Sequence, residues 1–211
     1  IYPPFCTPAS PPYSLTNMYS FLKNNMGKEH ELNILYVNLE FHKLMFPVHK
    51  EYFNGFLKDY TKESYSRAAS LFLKVTKECY SMNNKSVVEG GEPELLKEMA
   101  DLIISKKPDI VGLSIVYSSQ AFYAVSLLKE LKKAGIKTII GGPCVNDKLK
   151  ENADLYLKNE VEFLEYITGK KYDHKELKCD FVLDYSIYDL KGYFVPEIVL
   201  PIRASVSCYY K

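Results

Sequence analysis

Between residues 108 and 143 the spacing of apolar positions changes twice. Asp109–Tyr117 is a short apolar run, rich in β-branched residues, with Pro108 just before it. A strand buried on both faces of a parallel sheet reads this way. Over Gln120–Ala134 the apolar residues Ala121, Val125, Leu128 and Leu131 recur at helical spacing, and Lys129, Glu130, Lys132 and Lys133 fill the other face. Gly135 stops that helix. Lys137–Ile140 is a second β run, ending in Gly141-Gly142-Pro143. Strand, helix and strand in this order predict a right-handed, parallel βαβ unit. Such sheets bind ligands beyond the carboxyl ends of their strands, which singles out Ser114–Gln120 and Gly141–Asn146.

The rest of the chain repeats the alternation. Ile1-Tyr2 reads as the tail of a strand. Pro3, Pro4, Pro8, Pro11 and Pro12 then make a stiff loop that fits neither a helix interior nor a central strand. Leu15, Met18, Tyr19 and Leu22 predict a helix ending at Asn24–Gly27, and Leu32–Leu39 predicts the next strand. Residues 41–89 carry many aromatic residues and no strand signal, so they read as two or three inserted helices with aromatic core packing. Gly90-Gly91 and Pro93 mark a boundary before an amphipathic helix over Pro93–Lys107. Asp147–Asn152 predicts a short helix, Ala153–Leu157 a fifth strand, and Glu160–Thr168 a final helix stopped by Gly169. Five strand–helix repeats predict a doubly wound α/β domain over residues 1–169. Residues 170–211 differ: turn formers and tyrosines replace the helical period, and Tyr193–Arg203 reads as an extended segment or linker.

Composition adds exclusions. The 211 residues carry a net charge of +1, with basic and acidic residues interspersed, so nothing resembles a phosphate-backbone footprint and no nucleic-acid partner is expected. No apolar run approaches a membrane span, and no signal peptide is visible. The chain opens on Ile1 rather than Met and reads as a processed or excised piece. Five scattered cysteines (Cys6, Cys79, Cys144, Cys179, Cys208) without a C-x-x-C pair fit reduced thiols and a cytoplasmic location.

The usual cofactor motifs are missing. Neither G-x-G-x-x-G, nor a P-loop, nor G-x-S-x-G occurs. His42 and His49 stand seven apart with Pro47 between them, which falls short of a metal site without a third ligand. Glu160 and Glu162 read as helix N-terminal charges favoured by the dipole. What remains is Ser114-x-Val116 at the end of one strand and Gly141-Gly142 at the end of the next. Glycines there admit a close approach that any side chain would block. Two readings stay open: a dry slot for a bulky ligand, or a tight turn with Ser114 bonded to the protein itself.

These residues resemble the cobalamin-binding domain, whose pattern is D-x-H-x-x-G after the first strand, S-x-L after the third and G-G after the fourth. Ser114-Ile115-Val116 matches the second element with Val for Leu, and Gly141-Gly142 matches the third. The first is absent, since the corresponding loop, Pro4–Pro12, has no histidine. Histidine-less domains of this kind are typical of cobalamin-dependent radical S-adenosylmethionine enzymes. The segment Tyr193–Lys211 resembles the stretch that enters the radical barrel there, with Cys208 where the first iron–sulfur cysteine stands. The resemblance implies a flavodoxin-like, five-stranded parallel sheet in the order 2-1-3-4-5, with the helical insertion after its second strand. It implies cobalamin as ligand, its nucleotide tail between Ser114 and Gly141-Gly142, and no histidine below cobalt. Pro4, Phe5, Cys6 and Thr7, with Val116 and Pro143, would border the corrin. Tyr117, Ser118, Gln120, Asn159 and Glu160 would reach its amide rim. The parent would add a four-iron four-sulfur cluster, S-adenosylmethionine and a C-terminal radical domain, and catalyse methyl transfer or related radical chemistry. The alternative is a degenerate flavodoxin-like module for protein contact. A flavin carrier is disfavoured, because the first loop lacks a Thr/Ser-rich phosphate cradle.

Overall fold

The computed structural model describes residues 1–55, 61–173 and 175–203. Its sheet is the βαβ core plus one short strand. Strand β1 (Ile110–Ser114) runs into a 3-10 turn at Ser118–Gln120 and the helix Ala121–Lys133, with β2 (Lys137–Gly141) and β3 (Leu155–Tyr156) completing the sheet. All pairs are parallel, in the order β1-β2-β3, with Ile110 opposite Lys137 and Ser114 opposite Gly141. Helices before the sheet are α1 (Tyr13–Asn25), α2 (Val37–Met45), α3 (Pro47–Gly55), α4 (Lys62–Val88) and α5 (Leu96–Ile104). Within and after it come α6 (Ala121–Lys133), α7 (Asp147–Asn152) and α8 (Glu160–Thr168).

Helices cover both faces of β1. Val111 and Leu113 are buried in the large cluster that holds Met99 and Ile103 of α5 and Leu127, Leu128 and Leu131 of α6. Between them, Gly112 faces α8, where a Cβ would stand 3.1 Å from the Phe163 ring. Phe21 and Leu22 of α1 pack with Leu164 of α8 and Leu177 in a second cluster.

The expected five-stranded, flavodoxin-like sheet in the order 2-1-3-4-5 does not form. The described residues contain a three-stranded sheet, and the two expected N-terminal strands are missing from it. Ile1 and Tyr2 make four backbone bonds without extending into a strand: the Ile1 amino group donates to the Gly112 carbonyl at 2.6 Å and the Ile1 carbonyl accepts from Ser114 at 3.0 Å, while Tyr2 donates to the Leu35 carbonyl at 3.3 Å and accepts from Asn38 at 3.0 Å. Pro3 and Pro4 follow at once and have no N–H to extend a ladder. The apolar run Leu32–Leu39 divides, because Leu32–Tyr36 stays irregular and Val37–Leu39 opens α2.

Residues 175–203 contain no strand and no α-helix, only a 3-10 turn at Leu190–Gly192. They are nonetheless tied down. Lys23 pairs with Asp184 at 2.9 Å. Thr16 gives its hydroxyl proton to the Pro12 carbonyl, so Tyr188 donates to Thr16 Oγ1 at 3.2 Å. Phe194 stacks on Phe72 of α4, centroids 4.9 Å apart, and its N–H donates to the Pro8 carbonyl.

Candidate functional site

A cleft of about 580 Å³ opens beyond the carboxyl end of β1. One wall is the Pro-rich loop with the start of α1, including Phe5, Cys6, Thr7, Ser10 and Tyr13. The other is Val116, Tyr117 and Ser119, leading into α6. Tyr2, Tyr36 and Tyr80 form the floor, and Pro201 stands at the rim.

The floor is held by a buried polar network. The Asn38 side chain, fully buried in the first turn of α2, clamps Cys6. Its Oδ1 accepts from the Cys6 N–H at 3.0 Å, and its Nδ2 donates to the Cys6 carbonyl at 2.8 Å. The same Nδ2 lies 3.2 Å from Tyr36 Oη and 3.3 Å from Cys6 Sγ. One turn on, His42 Nδ1 meets the Asn38 carbonyl at 2.6 Å, and Nε2 meets Tyr80 Oη at 2.5 Å. A carbonyl only accepts, so Nδ1 carries the proton and Nε2 takes that of Tyr80. Tyr80 also lies flat on Phe5, centroids 4.6 Å apart.

Burial sets the charge state of this network. It pushes the Cys6 thiol up to about 11, against weaker opposite pulls from Tyr36 and Tyr2. It holds His42 down to about 4, with the Asn38 carbonyl pulling weakly the other way. Burial also raises Tyr2, Tyr36 and Tyr80 well above the usual phenol range. The floor is therefore neutral around pH 7, and Cys6 is a thiol rather than a thiolate nucleophile.

The sequence-predicted site residues fall into three groups. Phe5, Cys6, Thr7, Val116 and Tyr117 line the cleft together. Pro4 is buried beside them, and Gln120 lies behind the wall as a staple. Its Oε1 accepts from the N–H groups of Val116 and Tyr117 at 2.8 and 2.9 Å, while its Nε2 donates to the Pro3 carbonyl at 2.7 Å. Ser119 adds a second staple, donating to the Phe5 carbonyl at 2.7 Å. Ser118 begins the 3-10 turn but does not line the cleft.

The other residues serve the chain itself. Ser114 Oγ donates to Ser14 Oγ of α1 at 2.9 Å. Gly142 has φ +114°, and a Cβ there would fall 2.2 Å from the Ile115 carbonyl oxygen. At Gly141 a Cβ would sit 3.0 Å from the Leu157 carbonyl oxygen. Pro143 belongs to the same turn, which Cys144 closes by donating to the Ile115 carbonyl at 3.2 Å. Asn159 caps α8 by accepting from the Glu162 N–H at 2.9 Å, and Glu160 accepts from Asn17 at 3.4 Å. Cys208 lies outside the described residues.

Sequence reasoning missed Asn38, Tyr36, Tyr80 and Ser119. Only Asn38 had a local signal, as a lone amide inside the apolar run Ile34–Leu39. His42 has both ring nitrogens engaged, and His49 packs on Phe46 and Phe72.

The fold and site define a class: a parallel α/β unit with a neutral, aromatic-floored cleft at the carboxyl end of its first sheet strand. Comparison with protein-family models, with curated proteins and with solved structures finds no match. Among the described residues, no helix is long and apolar enough to cross a membrane.

Proposed function

We propose that the chain is a cobalamin-binding module, and that it belongs to a protein whose chemistry is supplied by a radical S-adenosylmethionine domain following Cys208. The observation that carries this reading is the cleft between Phe5–Thr7 and Val116–Tyr117. Its volume of about 580 Å³ lies in the range of small-molecule sites, and its floor is aromatic rather than charged. A corrin, broad and flat, suits such a floor. Phe5, Cys6, Thr7, Val116 and Tyr117 would hold it. The protonated Cys6 thiol makes a poor metal ligand, in keeping with a first loop that has no histidine. Pro201, seven residues before Cys208, stands at the rim of the cleft. In this reading the chain binds, and methyl transfer or a related radical reaction belongs to the parent.

A protein-contact module is the second reading, favoured by exposed Leu71, Leu73 and Met82 on α4. Mixing the 211-residue chain with hydroxocobalamin, followed by gel filtration, separates the two. Corrin absorbance co-eluting near one equivalent with the folded chain is expected. Folded protein eluting free of corrin refutes cobalamin binding and leaves the contact module.

A further inference from the structure

Cobalamin is a corrin ring carrying a nucleotide tail that ends in a benzimidazole base. The resemblance puts that tail between Ser114 and Gly141-Gly142. The structure fills that space with the chain's own atoms. The ends of β1 and β2 are sewn together above the sheet: Ile115 donates to the Gly141 carbonyl at 2.8 Å, and Cys144 to that of Ile115 at 3.2 Å. Gly142 presses on the Ile115 backbone so closely that even a methyl group has no room. On the α1 side the Ser114 hydroxyl is spent on Ser14. Below it, α1 and α8 close on each other through Phe21, Leu22 and Leu164, and Asn17 bonds Glu160. The Phe163 ring of α8 covers Gly112, the other small position of β1. A base entering here would have to push α1 and α8 apart and break a backbone-bonded turn. The cleft beyond β1, in contrast, is walled by the Pro-rich loop and by Val116, Tyr117 and Ser119, and is open as it stands.

We infer that the chain holds a corrin by its ring alone and leaves the nucleotide tail outside the protein, so that tailed and tailless corrins bind alike. This rests on the cobalamin reading above. The slot that the sequence pattern marks is a structural seam, and the recognition surface is the Phe5–Thr7 and Val116–Tyr117 cleft. The tail adds no contact within the fold, so it confers no selectivity.

Absorbance titration of the 211-residue chain with hydroxocobalamin and with aquacobinamide, which lacks the tail, tests this directly. The expected dissociation constants agree within about threefold, and excess α-ribazole, the nucleoside of the tail, leaves cobinamide binding unchanged. Hydroxocobalamin binding more than about tenfold tighter than cobinamide overturns the inference while sustaining the cobalamin reading. A change in cobinamide affinity with α-ribazole overturns it too. Failure of both corrins to bind overturns the cobalamin reading itself, and the inference falls with it.

Discussion

Acidification from pH 7 to pH 4.5 should remove about 2 to 3 kcal/mol of stability through His42. The imidazole is buried in α2, and burial lowers it from 6.5 to about 4. The unfolded chain takes up this proton near pH 6.5, whereas the folded chain refuses it until about pH 4. In between, the unfolded state binds more protons, so stability falls as pH falls. Above pH 6.5 both states are neutral and nothing more is gained. Each pH unit within the window is worth about 1.4 kcal/mol. The rings around His42 are Phe41, Phe46, Phe72, Tyr80 and Phe194, none of which carries a charge to offset an imidazolium. Asp184 is held down to about 2 by Ser186 and Lys23, so its contribution disappears only below its ordinary 3.8. Urea unfolding followed by circular dichroism at several pH values measures the effect. The chain has no Trp, so the usual fluorescence probe is lacking. His42→Leu should be less stable at pH 7 and should lose His42's share of the slope, leaving the share of the buried Ile1 amino group, which burial lowers from 8.0 to about 5. A wild-type stability that changes by less than about 1 kcal/mol over this range refutes the reasoning, and a slope undiminished in His42→Leu assigns it to another group.

Other expectations concern the walls of the cleft. Gln120→Ala removes three hydrogen bonds from a fully buried amide, so unfolding should become easier by about 3 to 5 kcal/mol; a loss under about 1 kcal/mol would show that water replaces the staple. Gly142→Ala should fail to fold or lose at least about 4 kcal/mol, whereas Gly90→Ala, at φ +86° with nothing within 4 Å, should lose about 1 kcal/mol in the same denaturation assay. With Cys6 held at about 11, roughly a thousandth of it is thiolate at pH 8. Iodoacetamide should therefore label exposed Cys179 well before half-buried Cys6, and peptide mapping that finds equal rates contradicts the protonated thiol.

What was legible in the sequence was what local chemistry decides. The helices α7 and α8 begin and end where their caps place them, with Asn146 and Asn159 accepting from the N3 amides and Gly169 left-handed at φ 67°. The β1–α6–β2 unit followed from its change of period and from Gly135. The first two expected strands failed because an apolar run does not say whether a partner edge completes it. Leu32–Leu39 reads as a strand, yet its last three residues start a helix that buries Phe41 and His42. Within the cleft, Val116–Tyr117 was legible from topology, as the loop beyond the carboxyl end of β1, whereas Phe5–Thr7 lines it although the strand expected before it does not form. The partners of Ser114 and Gln120 were not, because Ser14 lies 100 residues away and Pro3 lies 117 away.

The glycine pair shows where such reading stops. A glycine at φ +114° with no room for a Cβ does mean that something presses on it. Sequence alone does not say whether a ligand or the chain presses, and at Gly142 it is the Ile115 backbone. The same turn inward recurs across the cleft. Tyr80 spends its hydroxyl on His42, Tyr36 accepts from Asn38, Ser119 donates to Phe5, and Gln120 bonds three backbone groups. Each of these side chains is polar in sequence and is satisfied within the fold before a ligand arrives. A ligand on this floor therefore meets ring faces and edges rather than donors, and its affinity must come chiefly from apolar contact. Area is then the property the cleft rewards, so a broad neutral ring should outbind a small charged one of equal heavy-atom quality.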